Sequence, residues 1–425
     1  LQHAVVADMG GTTTDLATLV DGEVQIVEQG ARINGVQTHV QALAISTSGL
    51  GGDSLITYDQ GRFEVGPRRV VPVARLASHQ PRTVEALDYL EATPTAERQP
   101  PRNMWLFFAT GHPQDQKLAP AQAVVFGLLR QRPHSLAELS RTTKALHPTL
   151  RSLQELETRH LVQRSGLTPT DLLHVSGDFT RWDQKSARRM ARLIADLCGG
   201  PLDRLAKDLL DEVTRRLAVA LMARELASVD LLSPPNEAFL DRMLGHGGTH
   251  FEVDFTLKFP IVGIGAPVAR FLPAAAELLH TRAVIPDDAD VANAIGAITS
   301  QVVVRRQLSI RPDDQGRFQI EGVTDQRRFA SLDQADHHAL ETICEQVRRF
   351  GRSAGTSQRQ VTIQRQDRLT PTTTGETIFL ERTLTAVLRG LPDLALIDAV
   401  ADRSVGQDSE SNHTPLAPLK GGFNE

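Results

Sequence analysis

"VVADMGGTTTDLATLV", residues 5–20, decides how this chain is read. Two short apolar runs enclose a pair of glycines and three consecutive threonines, with Asp8 and Asp15 on either side. The apolar runs are strand-length and the turn between them is rich in residues that tolerate tight bends. A phosphate needs several hydrogen-bond donors converging on one point, and a backbone supplies them only where no Cβ blocks the approach. Gly10 and Gly11 meet that need and permit positive φ. Thr12, Thr13 and Thr14 add hydroxyl donors. Asp8, ending a buried strand, is placed to hold Mg²⁺ through water, because magnesium keeps several waters and is bridged by one or two carboxylates plus phosphate oxygens. Asp15 opens the returning strand and shares that role or positions a nucleophile. The plainer alternative is a tight hairpin whose threonines favour strand and whose aspartates cap the turn. No helix follows the turn and no Gly-Lys-Ser/Thr occurs in it, so it is neither a dinucleotide-binding turn nor a Walker loop.

Outward from this stretch, "VDGEV" at 20–24 is an Asp-Gly hairpin signal, so the opening reads as a meander of three strands. Residues 42–47, "ALAIST", lead into a second glycine-rich turn from Gly49 to Ser54, and "LITYDQGRFEVG" reads as another hairpin. In that turn Asp53 is a candidate catalytic group, and Gly51, Gly52 and Ser54 a loop beside the substrate. "ATPTAERQPPRN" at 92–103 marks a boundary. Residues 119–165 then carry three helix-like stretches, the third running to about residue 164, and amphipathic helices follow at 183–197 and 202–229. "FPIVGIGAPVARFLPAAAELL" at 259–279 reads strand, glycine turn, helix, with Gly263 and Gly265 letting the backbone approach a nucleoside and Ala266 and Pro267 opening the helix. An ordinary strand-to-helix turn has the same pattern. In the later small-residue helix, Ala292, Ala294, Gly296 and Ala297 allow close packing on a sheet.

With 425 residues and 40% hydrophobic content the chain has enough material for two or three globular domains. A net charge of −5 gives nucleic acid and anionic membranes no overall electrostatic advantage, and neither is an expected partner. No apolar run reaches membrane-spanning length and no signal peptide opens the chain, which reads as cytoplasmic. The two cysteines, Cys198 and Cys344, fit a reducing compartment and exclude a disulfide framework. "LGHGGTHFEVD" at 244–254 offers His246 and His250 as candidate metal ligands, against the plainer reading of structural or exposed histidines. Residues 119–165 have a helix-turn-helix cadence with interspersed arginines, but Glu138, Glu155 and Glu157 interleave and favour a helical insertion packed on its host.

The opening turn resembles the phosphate loops of the actin, Hsp70 and sugar-kinase superfamily, and "IVGIGAPVARFLP" resembles that superfamily's adenosine motif. Within it the chain looks like the hydantoinase/oxoprolinase family of the hydantoinase A type. The resemblance rests on "DMGGTTTDLATLVDGEV", "STSGLGGDSLITYDQGRFEVGPRRVVPVARLA", "GLTPTDLLHV", "FPIVGIGAPVARFLPAAAELL" and "IPDDADVANAIGAI". It implies an α/β protein with one actin-like, RNase H-like ATPase lobe over 1–100 and 166–307; beside it the residues themselves read as an inserted helical, winged-helix-like module over 101–165, an α/β extension over 308–400 and, being polar and proline-containing, a disordered tail over 401–425. It further implies ATP and Mg²⁺ as cofactors and ATP-dependent opening of a cyclic amide such as a hydantoin or 5-oxoproline; relatives carboxylate ketones. Relatives carry two phosphate loops, one per lobe. This chain shows one with the full signature, read as the second, so a partner chain or missing segment is expected to supply the first lobe. The rival expectation is a non-enzymatic regulator with a degenerate lobe and a DNA- or protein-binding helical module.

Overall fold

The computed structural model describes the chain apart from residues 28–31, 34–35, 38–41, 60, 112–116, 228–235, 245–252, 324–326, 372–376 and 394–425. His246, His250 and the expected disordered tail lie outside the described residues. The chain divides into two compact units, Leu1–Asn293 and Ala294–Glu425.

The first unit is organised by the opening stretch. Strands β1 (Ala4–Met9) and β2 (Thr14–Val20) pair antiparallel, with Asp8 opposite Asp15 and Met9 opposite Thr14. Asp21 and Gly22 both take positive φ, 53° and 79°, the two-residue turn that matches strand twist, and return the chain into β3 (Glu23–Val24). The strand Ile45–Ser48 also pairs with β2. On the other side of β1 the strand Ile261–Ile264 runs parallel to it, followed by Ala283–Val284. The sheet is therefore an antiparallel meander joined to a parallel pair, with β1 at the junction. Side chains alternate with the pleat: Val5, Ala7, Met9 and Leu16 are buried in one core with Val268, Phe271, Leu272 and Leu217 of two helices, Val268–Leu278 and Leu202–Leu226. Asp8 and Asp15 face the opposite, more open side.

Residues 101–165 build a module with its own core, in which Phe107, Phe126, Leu139, Leu153 and Leu156 meet. Its helices are Pro120–Gln131, Leu136–Thr143 and Leu146–Thr158. Two features differ from the sequence expectation. Helix stops at Thr158, and Val162–Gly166 is a strand instead of the end of a helix. Its partner is the strand Leu106–Ala109, an element that helical periodicity in this region conceals; the pairing satisfies the backbone of both segments in the interior. The module's sheet is then extended by a strand of the host, Val71–Pro72, which pairs parallel to Ser165–Gly166.

The second unit is a five-stranded antiparallel sheet covered by the helix Leu332–Ser353. That helix buries Ala335, Ala339, Ile343, Val347 and Gly351, one residue every fourth position, against Leu308, Ile310, Leu384, Ala386 and Leu388. Val302–Pro312 is a full member of this sheet, so the unit begins ahead of the expected boundary at 308. The helix Ala292–Thr299 spans the division and has no buried residue. Among the described residues its small side chains are exposed or half-exposed, and the expected close packing on a sheet is not seen.

Candidate functional site

The peptide groups of the Gly10–Thr13 turn are oriented by the second glycine-rich loop. Gly52 N–H donates to the Gly10 carbonyl at 3.0 Å, and Asp53 N–H to the Gly11 carbonyl at 2.7 Å. In a trans peptide the next residue's N–H points opposite to the carbonyl. With both carbonyls pinned inward, the N–H groups of Gly11 and Thr12 are turned away from the loop, and among the described residues neither takes a hydrogen bond. Gly10 N–H closes the turn on the Thr13 carbonyl at 2.9 Å. The result is a half-exposed bend presenting two adjacent amide donors on one side. The hydroxyls of Thr12 and Thr13 are likewise without a partner among the described residues.

Thr14 departs from expectation: it is buried and its hydroxyl donates to the Leu50 carbonyl at 2.7 Å, so it anchors the turn and is not available to a phosphate. Its register explains this, because Thr14 lies on the core face of β2 while Asp15 lies on the open face. Asp8 and Asp15 stand directly opposite on that open face, and Asp15 accepts a hydrogen bond from Thr47 at 2.5 Å. Two carboxylates facing each other across a ladder repel. A divalent cation relieves the repulsion, and a carboxylate pair beside outward amides suits Mg²⁺ bridging to phosphate oxygens. Among the described residues there is no cluster of three or more metal-ligating side chains.

Asp53 links the turn to a cavity of about 780 Å³. Its carboxylate lies 2.7 Å from where a Cβ on Gly11 would stand, so a side chain there would displace Asp53. Asp53 is 8% exposed; burial pushes its pKa up, and Arg69, 3.3 Å away, pulls it back. A carboxyl group with raised proton affinity facing a cavity fits a proton acceptor. Its neighbours Gly51, Gly52 and Ser54 do not line a substrate pocket. A Cβ on Gly51 would strike Gly11 at 2.6 Å and one on Gly52 would meet Thr170 at 2.8 Å, while Ser54 is fully buried with its hydroxyl accepting Gly51 N–H. They seat one loop against the other.

The parallel register of β1 with Ile261–Ile264, Asp8 beside Ile264, brings the Gly263–Pro267 loop next to the phosphate turn. Its glycines are already called for by internal packing. A Cβ on Gly263 would strike Leu272 and Val268 of the following helix at 2.5 and 2.7 Å. Gly265 has φ +94° and stands 2.2 Å, Cβ position to oxygen, from the Met9 carbonyl. Pro267 stands at the N-cap of the helix Val268–Leu278 and is half-buried, and Ala266 is exposed at the mouth of the loop.

The sequence reading passed over Asp171 and His174 in "GLTPTDLLHV". Asp171 is fully buried and accepts from Val73, Ala74 and Thr168 N–H and from the Thr168 hydroxyl, capping two helices at once. Burial pushes its pKa to about 7, against the pull of those donors. His174 is also buried, donating from Nδ1 to the Thr170 carbonyl and accepting Trp182 N–H at Nε2, the pattern of a neutral ring. The Thr168–Asp171 spacing is the visible signal of a capping box.

Residues 1–74 match the family model for hydantoinase/oxoprolinase, hydantoinase A. Over this segment the chain is similar to the hydantoinase/oxoprolinase family. The matched segment holds the whole bend, Asp8, Asp15 and Asp53. Among solved structures the chain is similar to one titled "Mechanism of ATP-Dependent Acetone Carboxylation, Acetone Carboxylase nucleotide-free structure", at a TM-score of 0.44 and 14% identity over 96% of this chain and 43% of that chain. It thus spans less than half of that protein's length. No curated protein matches it. No helix of the described residues is long and apolar enough to cross a membrane.

Proposed function

We propose that this hydantoinase/oxoprolinase chain forms one actin-like lobe of an ATP-dependent enzyme that opens a cyclic amide of hydantoin or 5-oxoproline type. The observation that carries the reading is the pair of outward amides at Gly11 and Thr12, held by Gly52 and Asp53 opposite the Asp8–Asp15 pair. The meander joined to a parallel pair, with the phosphate turn between its first two strands, supports the actin-like assignment.

An amide is a poor electrophile because its nitrogen feeds the carbonyl. Attack of the amide oxygen on the γ-phosphorus, with cleavage of the bond to the β-bridging oxygen, leaves ADP and an O-phosphorylated imidate. Water then adds to the imidate carbon, the ring C–N bond opens as the nitrogen takes up a proton and leaves an acyl phosphate, and a second water releases inorganic phosphate to give the carboxylate. Such transfer asks for positioning and charge stabilisation more than for covalent chemistry. Gly11 and Thr12 N–H groups with the Thr12 and Thr13 hydroxyls would grip the transferring oxygens. Asp53 would take a proton from the attacking water. Mg²⁺, held by Asp8 and Asp15, would neutralise charge on the phosphates.

A second lobe, from another segment or a partner chain, is part of this proposal. Alone, the chain is expected to hold Mg-ATP weakly. With the opposing lobe supplied, phosphate release is expected to rise on adding a hydantoin or 5-oxoproline. Unchanged release with every cyclic amide tried, in a preparation that binds Mg-ATP, would overturn the substrate assignment.

A further inference from the structure

The cavity beside Asp53 has a charge pattern that the phosphate turn does not require. Four guanidinium groups, Arg68, Arg69, Arg75 and Arg164, line it against two carboxylates, Asp53 and Glu157. The two carboxylates are not evenly shared. Glu157 is held by a two-pronged contact from Arg164, at 3.1 and 2.8 Å, and reaches Arg68 only at 3.9 Å. Asp53 meets Arg69 through a single 3.3 Å contact. Arg75 has no ion pair among the described residues; its guanidinium lies 5.6 Å from the centre of the Trp182 ring. Three cationic groups thus face the cavity with weak or no local neutralisation. Between them the wall is apolar, formed by Val71, Leu76 and Phe108.

A cavity of about 780 Å³ with convergent guanidinium groups and an apolar wall takes a small ligand with a carbon body and anionic ends. Guanidinium forks match carboxylates in two-pronged geometry, which favours a carboxylate over a point charge. We propose that this cavity binds a small dicarboxylate, with one end on Arg69 and Arg75 next to Asp53 and the other toward Arg68, which faces the wall formed by the inserted module. The inference rests on the proposed ATP-dependent activity for its consequence: the acceptor molecule, or a second substrate, carries carboxylate groups, and the module at 101–165 closes the pocket that receives it. The recognition itself needs no nucleotide.

Calorimetry on the full chain without nucleotide, using succinate, neutral succinamide and inorganic phosphate as probes, tests it. Succinate is expected to bind at millimolar or lower concentration and succinamide not to. Arg75→Gln and Arg69→Gln are each expected to weaken succinate about tenfold or more, with melting curves confirming folded protein. Arg69 is half exposed, so its variant guards against misfolding of the other. Thr12→Val, in the phosphate turn, is expected to leave succinate binding intact while weakening Mg-ATP measured with the opposing lobe supplied, which separates failure of this inference from failure of the nucleotide reading. The proposal is overturned if succinate gives no heat, if succinamide binds as well, if phosphate binds and succinate does not, or if both arginine variants bind succinate like the wild type.

Discussion

Two glycine-rich turns stand side by side at the end of the central sheet, and they use glycine for opposite purposes. At the first turn a Cβ on Gly10 would meet nothing closer than 3.7 Å, one on Gly11 would meet only the Asp53 carboxylate, at 2.7 Å, and the carbonyls are pinned so that amides face out. At Gly263–Gly265 each Cβ position is already filled, by Leu272 and Val268 in one case and the Met9 carbonyl in the other. The first turn keeps its backbone free for a ligand, and the second spends its glycines bringing a strand and helix against β1. A glycine motif read from spacing alone does not distinguish them; what does is where the neighbouring carbonyls are bonded.

The comparison breaks most visibly at Gly265. Gly265→Val places a branched side chain at φ +94° on top of a carbonyl, and the expected loss is about 3 kcal/mol or more, seen as a large fall in melting temperature. Unchanged melting would show that the second loop has room for a ligand after all. Gly263→Val should cost about 1–3 kcal/mol by overpacking the helix Val268–Leu278. Thr12→Val, on the open turn, should shift stability by less than about 0.5 kcal/mol while reducing Mg-ATP affinity, measured with the opposing lobe present. Equal stability losses at Thr12 and Gly263 would erase the distinction between the two turns.

A smaller effect tests the frame behind both. Asp171 has its folded pKa raised to about 7 from an ordinary value near 3.8. The folded state therefore binds the proton more tightly than the unfolded chain, and the stability linked to it is fully present below about pH 4 and lost as pH rises toward 7. Asp171→Asn is expected to be less stable at low pH and to flatten this slope, read as the wild-type minus variant melting temperature between pH 4 and 7. His174 acts in the other direction. Burial lowers its pKa, so the stability it contributes is present above about pH 6.5 and lost as pH falls through the depressed value.

Much of this was legible in the sequence because it is local. The hairpin around Gly10, the Asp21-Gly22 turn, the alternation that places Asp8 and Asp15 on one face, and the helices Gln184–Cys198 and Leu202–Leu226 follow from spacing and turn chemistry. What escaped depends on partners distant in the chain. Thr14 looks like Thr12 and Thr13 until the Leu50 carbonyl is placed beneath it. Leu106–Ala109 and Val162–Gly166 become strands only by pairing with each other. The arginines at 68, 69 and 75 share a cavity with Arg164 and Glu157 only because the module folds across from them.

The two residues Val71–Pro72 carry a practical consequence. They belong to the host, yet they form the outermost strand of the inserted module's sheet, and the helix Val73–His79 that leaves them is capped by Asp171. Splicing residue 100 directly to 166 would look clean on paper and leave a raw edge in the remainder. Excising the module as an independent reagent would strip it of the same seam. The insert is better regarded as stitched into its host than hung from it.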